Sequence, residues 1–315
     1  MAIDLNAFLS GCESYKESEP VPSMEQLNQM QTELKFESQL IRSQMTVVSE
    51  RAATFQNLYT YQQKHNGFGS LGEVIALENY TEGSNKITDS LYRSGMESIG
   101  ESLKKMLTKI KLLWNKFTAW IKGVGERVLL TGVGAKIKAE AKFAKYPFTA
   151  TVVEVADTDG EHSPSLGKLC AAIYTFAHGV GETSEEEFQK ESNDVAELAS
   201  SFRSTVSKGE KTFKDAKDVF DYFAKVKHAF EISLPASQHV AASCEKLMAL
   251  PETTPDKRVT DFISKSSDAV YLLQDLFGGY MRSLTAIEEA MKAAKKSDKE
   301  DANTAKVGNS LPLMK

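Results

Sequence analysis

Residues 102–128, SLKKMLTKIKLLWNKFTAWIKGVGERV, decide the fold. Leu103, Met106, Leu107, Ile110, Leu113, Trp114, Phe117, Trp120, Ile121 and Val124 recur at i, i+3, i+4, i+7 spacing, while Lys104, Lys105, Lys109, Lys111, Lys116 and Lys122 occupy the remaining surface. A 3.6-residue period gathers the first set on one face, so the stretch predicts an amphipathic helix that Gly123 and Gly125 bring to an end. Just upstream, residues 94–101 (SGMESIGE) are small, polar and acidic. The chain therefore changes sign at one point. Residues 1–101 carry 7 basic and 14 acidic side chains and residues 102–147 carry 11 and 2, although the whole chain sums to only −5. The total gives no reason to expect nucleic acid or an acidic membrane as partner of the whole chain; the segregation points to segments with different roles.

Working outward, Leu27, Leu34, Ile41, Val48 and Phe55 recur every seven residues, and Met30, Leu40, Met45 and Leu58 widen the stripe. This predicts a long helix over about 24–61 with an apolar seam for a partner helix. Glu37, Gln44 and Arg51 at companion positions argue against a clean two-stranded coiled coil. Residues 65–85 carry Gly and Asn and read as a loop or broken helix within reach of a protease. Beyond a second basic piece ending at Pro147, FTATVVEVA (148–156) is the one convincing strand, and a hairpin with the Arg127–Gly132 region is its expected pairing. Amphipathic helices follow over about 166–178, 184–206, 211–233, 237–250 and 259–291, with Gly278-Gly279 marking a kink or a close helix contact. The last stretch, 298–315, reads as a disordered tail.

The expected fold is mainly α: an amphipathic helical bundle with a long N-terminal helix and at most one short β hairpin. Its expected division is an acidic helical leader (1–101), a basic amphipathic segment (102–147), a helical bundle domain (148–297) and the tail (298–315).

Chemistry is sparse. Cys12, Cys170 and Cys244 are odd in number and far apart, which fits a reducing compartment rather than a disulfide framework. The N-terminus has neither a basic n-region nor a long apolar h-region, and no apolar run is long enough to span a bilayer, so a soluble intracellular protein is expected. RVLLTGVGAK (127–136) resembles a strand entering a phosphate loop, yet it lacks the Gly-Lys-Ser/Thr order that wraps a phosphate and holds magnesium. There is no GxSxG elbow, and the histidines are scattered. His239 and Cys244, five apart on a helix, point away from each other. Glu185–Glu187 read as a helix N-terminus favoured by the macrodipole. No catalytic, cofactor-binding or metal-ligating residue is expected, and neither is a small-molecule substrate.

The lysine-rich helix admits three readings. It can be one helix of the bundle with its lysines solvated. It can contact an anionic polymer through Lys104, Lys105, Lys109, Lys111, Lys116 and Lys122, without reading sequence. It can lie on a membrane, with Trp114 and Trp120 at the apolar boundary.

The layout resembles the internal head, or inner-body, proteins of large-genome tailed phages. In that family an acidic helical leader directs the protein into the prohead. A prohead protease then cuts after Glu in a pattern of small or aliphatic residue, any residue, Glu. With Gly, Ala, Leu or Ile as the first residue, the leader's matches are Gly11-Cys12-Glu13, Leu71-Gly72-Glu73, Ala76-Leu77-Glu78, Gly95-Met96-Glu97 and Ile99-Gly100-Glu101, the last directly before the basic helix. The resemblance is one of layout over most of the chain and is close over about 70–125. It implies a non-enzymatic virion component inside the capsid head, packaged with the genome after proteolytic removal of the acidic leader and present in the cytoplasm of the infected bacterium before assembly. The candidate processing sites are Glu73, Glu78, Glu97 and Glu101. The implied partners are the prohead protease, capsid or scaffold proteins, and packaged DNA held by non-specific electrostatics. Competing expectations are a membrane-active or host-directed effector using the basic helix, with peripheral membrane contact, and an unprocessed helical scaffolding or adaptor protein.

Overall fold

Ser23 opens the first helix with a reciprocal cap. Its hydroxyl accepts from the Gln26 amide at 3.2 Å, and the Gln26 side chain accepts from the Ser23 amide at 2.7 Å. Two otherwise orphaned donors are satisfied where the apolar stripe begins. Helix α1 then runs Met24–His65. The structure is a computed structural model and describes residues 22–65, 82–155, 164–180, 183–249 and 257–308.

Helix α2, Glu82–Val124, begins well before Ser102. Its acidic and basic halves are one continuous element, so the expected boundary at 101/102 falls inside a helix. The sign change runs in the direction that a helix dipole favours, acid first and base last. Gly123 and Gly125 do not end the ordered helix. The chain continues as a π-helical segment, Gly125–Thr131, in which the Thr131 hydroxyl donates to the Glu126 carbonyl five residues back at 2.8 Å. Gly123 is needed for proximity: a Cβ there would lie 3.0 Å from Leu27 Cδ2 and 3.2 Å from Pro22 Cγ.

Helix α3, Val133–Glu140, follows. The glycines that mimic a phosphate loop serve this junction. A Cβ on Gly132 would fall on the Arg127 carbonyl oxygen, and one on Gly134 would come within 2.7 Å of Phe223 Cε2 and the Val128 carbonyl oxygen. The Arg127–Gly132 region is helical and so is not the hairpin partner of strand β1, Phe148–Val155. That partner is β2, Val206–Phe213, antiparallel from Phe148↔Phe213 to Val155↔Val206. Between the two strands lie α4, Pro164–Gly179, and α5, Glu185–Thr205, so the ribbon joins segments distant in sequence. Helix α5 starts on a second capping box, Ser184 with Glu187, which accounts for the acidic cluster at 185–187.

Helix α6, Ala216–Met248, is one helix where two were expected. It passes through Pro235, whose missing amide and bulky ring ordinarily break a helix. Burial of Ser233, Leu234, Ala236, Ser237 and Val240 around it outweighs that penalty. The last helix, α7, spans Lys257–Gly308, so the expected tail is helical as far as 308, and 309–315 lie outside the described residues.

Cross-helix contacts fix the directions. Trp120 reaches Leu27, Lys116 reaches Glu37 and Lys109 reaches Gln44, so α1 and α2 are antiparallel. Arg42 meets Asp268 at 2.6 Å and Lys35 meets Asp275 at 3.9 Å, so α1 also runs antiparallel to α7. Thr118 meets Ser237 at 3.0 Å and Lys111 meets Glu245 at 2.5 Å, which orients α6 against α2. One apolar cluster joins all four long helices and β1. Phe277 of α7 sits at its centre, 4.4 Å from the Phe230 ring and 6.5 Å from the Phe117 ring between centroids. The fold is mainly α, a helical bundle carrying one two-stranded antiparallel ribbon, as the sequence predicts.

The Gly278-Gly279 pair makes close contact on two sides. A Cβ on Gly278 would strike the Gln31 amide group of α1, and one on Gly279 would lie 2.8 Å from Val153 Cγ2 of β1. Beside it Ser283 Oγ accepts from the Val153 amide at 2.8 Å, closing one open edge of the ribbon.

Candidate functional site: the lysine-bearing half of the second helix

From Leu103 to Val124 the apolar face of α2 is inside. Ile110, Leu113, Trp114, Phe117, Trp120 and Val124 are each 0% exposed. Trp120 Nε1 donates to the Leu27 carbonyl of α1 at 2.9 Å, and Trp114 packs edge-on against Phe117 with centroids 5.5 Å apart. A membrane reading needs both indoles at a boundary facing out; this fold holds both in the core. No described helix is long and apolar enough to cross a membrane.

The lysines face out. Lys105, Lys109 and Lys116 are exposed, and Lys104, Lys111 and Lys122 are half-buried. Lys109, Lys111 and Lys116 engage neighbouring helices. Lys109 donates to Gln44 Oε1 at 2.8 Å, Lys116 pairs with Glu37, and Lys111 pairs with Glu245. Hydrogen bonding from Lys111 holds the Glu245 carboxyl below its ordinary pKa. Such exposed pairs add little to stability in water and can exchange partners with phosphate oxygens. Further along, Arg127, Lys136, Lys138, Lys142 and Lys145 are all exposed, so the net charge of 102–147 is displayed on the surface.

The candidate processing sites divide into two groups. Glu97 and Glu101 are exposed but lie in the middle of α2, where the backbone is committed to helical hydrogen bonds and cannot be taken by a protease in extended form without unwinding. Glu73 and Glu78 fall in 66–81, outside the described residues. Any cut at these four positions separates α1 from the rest, and α1 is deeply bound. Leu27, Leu34, Ile41, Met45 and Val48 are buried against α2 and α7. At about 1.5–3 kcal/mol per buried side chain their burial is worth on the order of 10 kcal/mol, comparable with the roughly 5–15 kcal/mol that holds a whole domain folded.

Reactive groups elsewhere are muted. Burial pushes the Cys170 thiol up to about 11 and the Cys244 thiol up to about 12. Cys170 contacts the Ser233 hydroxyl at 3.3 Å, and Cys244 donates to the Val240 carbonyl at 3.4 Å. A thiol held protonated is a poor nucleophile. The His239 ring sits edge-on to Tyr174 at 4.5 Å, away from Cys244. Among the described residues no group of three or more His, Cys, Asp and Glu could hold a metal ion. Burial, then Glu187 and Asp194, raise the Glu191 carboxyl, and His178 opposes them. Sequence reasoning did not single out Glu191: no residue pattern around it signals that the α4–α5 contact half-buries it beside Gly179.

No family model, no curated protein and no solved structure matches the chain.

Proposed function

We propose that this protein is a non-enzymatic virion component of a large-genome tailed phage, an internal head protein packaged with the genome, and that it works as a folded body that keeps its first helix. What carries the reading is the division of α2: an apolar face wholly inside, and lysines outside on a segment of net charge +9. Clustered surface cations displace condensed counterions from DNA, giving salt-dependent binding without sequence preference. The likeness of the chain's layout to internal head proteins adds the location, and with it the prohead protease and the capsid or scaffold proteins as partners.

The fate of the leader follows from packing. A prohead protease acting after Glu73 or Glu78 severs the link between α1 and α2 while the shared core holds both pieces together. Intact mass of the protein from purified particles, measured under denaturing conditions, tests this. Two fragments in equal amount are expected. A lone fragment starting near Ser98 or Ser102 overturns retention of α1.

A full-length chain favours a second reading, an unprocessed helical scaffolding or adaptor protein, which the burial of α1 also supports. DNA contact is tested separately by the salt dependence of binding to random duplex. Replacing Lys105, Lys109 and Lys116 by Ala flattens the slope of log affinity against log salt by about two to three. An unchanged slope removes these lysines from the contact.

A further inference from the structure

The core explains one stripe of α1 and leaves another unused. Phe36 is 65% exposed, Leu40 41% and Val47 46%; with Leu112 of α2, 54% exposed, they make four of the six large apolar side chains that stand exposed among the described residues. They share one surface. Leu40 lies between Glu37 and Gln44 on α1, and Leu112 lies between Lys109 and Lys116 on α2, the residues that face each other across this helix pair. At 100° per residue, positions 33, 36, 40, 47 and 51 fall within about 60° of one another. Along α1 the stripe therefore reads Glu33, Phe36, Leu40, Val47, Arg51: an acid at one end, a base at the other, and apolar residues between.

That order is complementary to its own reverse. Laid antiparallel on a second copy, Glu33 meets Arg51, Phe36 meets Val47 and Leu40 meets Ser43; the last two pairs centre between Ile41 and Arg42 and the charged pair on Arg42, half a residue away. Both charged pairs form at once, as an isologous two-fold contact requires. A parallel arrangement would set Glu33 on Glu33 and Arg51 on Arg51. We propose that the outer face of the α1–α2 pair is the dimerisation surface of this chain, with α1 crossing α1 of a second copy antiparallel about a two-fold axis. The claim is independent of the virion reading.

The stripe covers five turns of helix, less than the roughly 800 Å² per partner of a standard tight interface, so the dimer is weak, with a Kd on the order of 10 µM. Sedimentation equilibrium of the full chain with reductant, from low micromolar to a few hundred micromolar, reads it directly. Phe36→Glu with Leu40→Glu raises Kd at least tenfold. Glu33→Arg alone and Arg51→Glu alone each raise it several-fold, and the two together restore it. Unchanged circular dichroism in each variant shows that the fold survives. A monomer at every concentration overturns the proposal, leaving the face to another segment or another protein. A dimer indifferent to Phe36 and Leu40, or one that the double reversal fails to rescue, overturns it equally.

Discussion

Helix α1 is electrically balanced, with four acidic and four basic side chains, whereas residues 102–124 of α2 carry six lysines and no acid. Their outer surfaces have little in common, yet their inner faces form a single seam, with Trp120 of one donating to the Leu27 carbonyl of the other. The excess negative charge of the first third resides outside α1, in residues 1–23 and 66–101. Charge describes what a segment shows to solvent; the apolar stripe describes what it is attached to. A handle recognised by its charge can still be a structural wall.

The strongest way to break this comparison is to remove one of its members. A chain beginning at Ser102 exposes the faces of α2 and α7 that Leu27, Leu34, Ile41, Met45 and Val48 cover. Since the lost burial rivals the stability of a domain, this chain is expected to lose its cooperative thermal transition and to bind a hydrophobic dye. A sharp transition with native near-ultraviolet circular dichroism would show that α1 is dispensable. A smaller version keeps the helix: Leu34→Ala is expected to cost about 2–5 kcal/mol in urea unfolding.

The two glycines of α7 sharpen the comparison, because they face different neighbours. Gly279 meets Val153, a β-branched residue fixed in a strand, while Gly278 meets the far end of Gln31, a side chain that can swing away. Gly279→Ala is expected to destabilise by about 1–3 kcal/mol through overpacking. Gly278→Ala exchanges the Gln31 hydrogen bond to the Gln274 carbonyl for a gain in helix propensity and stays within about 1 kcal/mol of neutral. Equal costs at both positions would mean that α1 is held as rigidly against α7 as β1 is.

Much of this architecture was legible wherever apolar periodicity ran long. The stripe from Leu27 to Val48 and the one from Leu103 to Val124 located α1 and the second half of α2 and named most of their buried residues; Leu40, assigned to the first stripe, stands exposed because it lies on the far side of α1 from the core, and Met30 is half-buried. The close contact at Gly278-Gly279 was also anticipated. Three features escaped, for different reasons. Strand β2, VSKGEKTF, shows almost no alternation because both of its faces are largely exposed; it is held by pairing to β1 and by the Phe148–Phe213 stack at 5.2 Å. Residues 82–101 lack a strong stripe and join a helix whose register is set further along. The two helices expected at 211–233 and 237–250 are one, because tertiary burial carries the helix through Pro235. For the candidate site, the lysines and their outward direction were readable from spacing. That both tryptophans are fully enclosed depends on α1 closing over them, which periodicity within α2 cannot show.

The tryptophans separate burial from bonding. Both are 0% exposed, but Trp120 Nε1 has the Leu27 carbonyl as acceptor while Trp114 Nε1 has no hydrogen-bond partner among the described residues. Changing either to Phe removes similar volume. Trp120→Phe also removes a bond between α1 and α2, and Trp114→Phe removes a donor that gains nothing from burial. The expected outcome is that Trp120→Phe lowers unfolding free energy by about 1 kcal/mol more than Trp114→Phe. The reverse order would mean that the indole bond adds little to the seam.

The smallest expected effect lies at the far end of the basic segment, where an exposed lysine meets a buried carboxylate. Glu288 of α7 is 7% exposed and takes Lys292 of its own helix at 2.5 Å and Lys136 of α3 at 3.2 Å. Desolvation by itself would raise its pKa, but hydrogen bonds from Lys292 and Lys136 overcome it and hold the carboxyl below the ordinary range. A carboxyl depressed on folding stabilises the native state above its unfolded value, and that contribution fades as pH falls through the folded one. The native chain should therefore lose stability as pH falls through and below about 4.3, where unfolded Glu is half-protonated. Glu288→Gln should flatten that acid limb by about 1 kcal/mol. Lys136→Met should do part of the same, because Lys292 remains. If neither substitution alters the acid limb while both lower stability at neutral pH, the lysines act there through packing of their stems against α3 and α7, and the basic segment is tied to the core by contact rather than by charge.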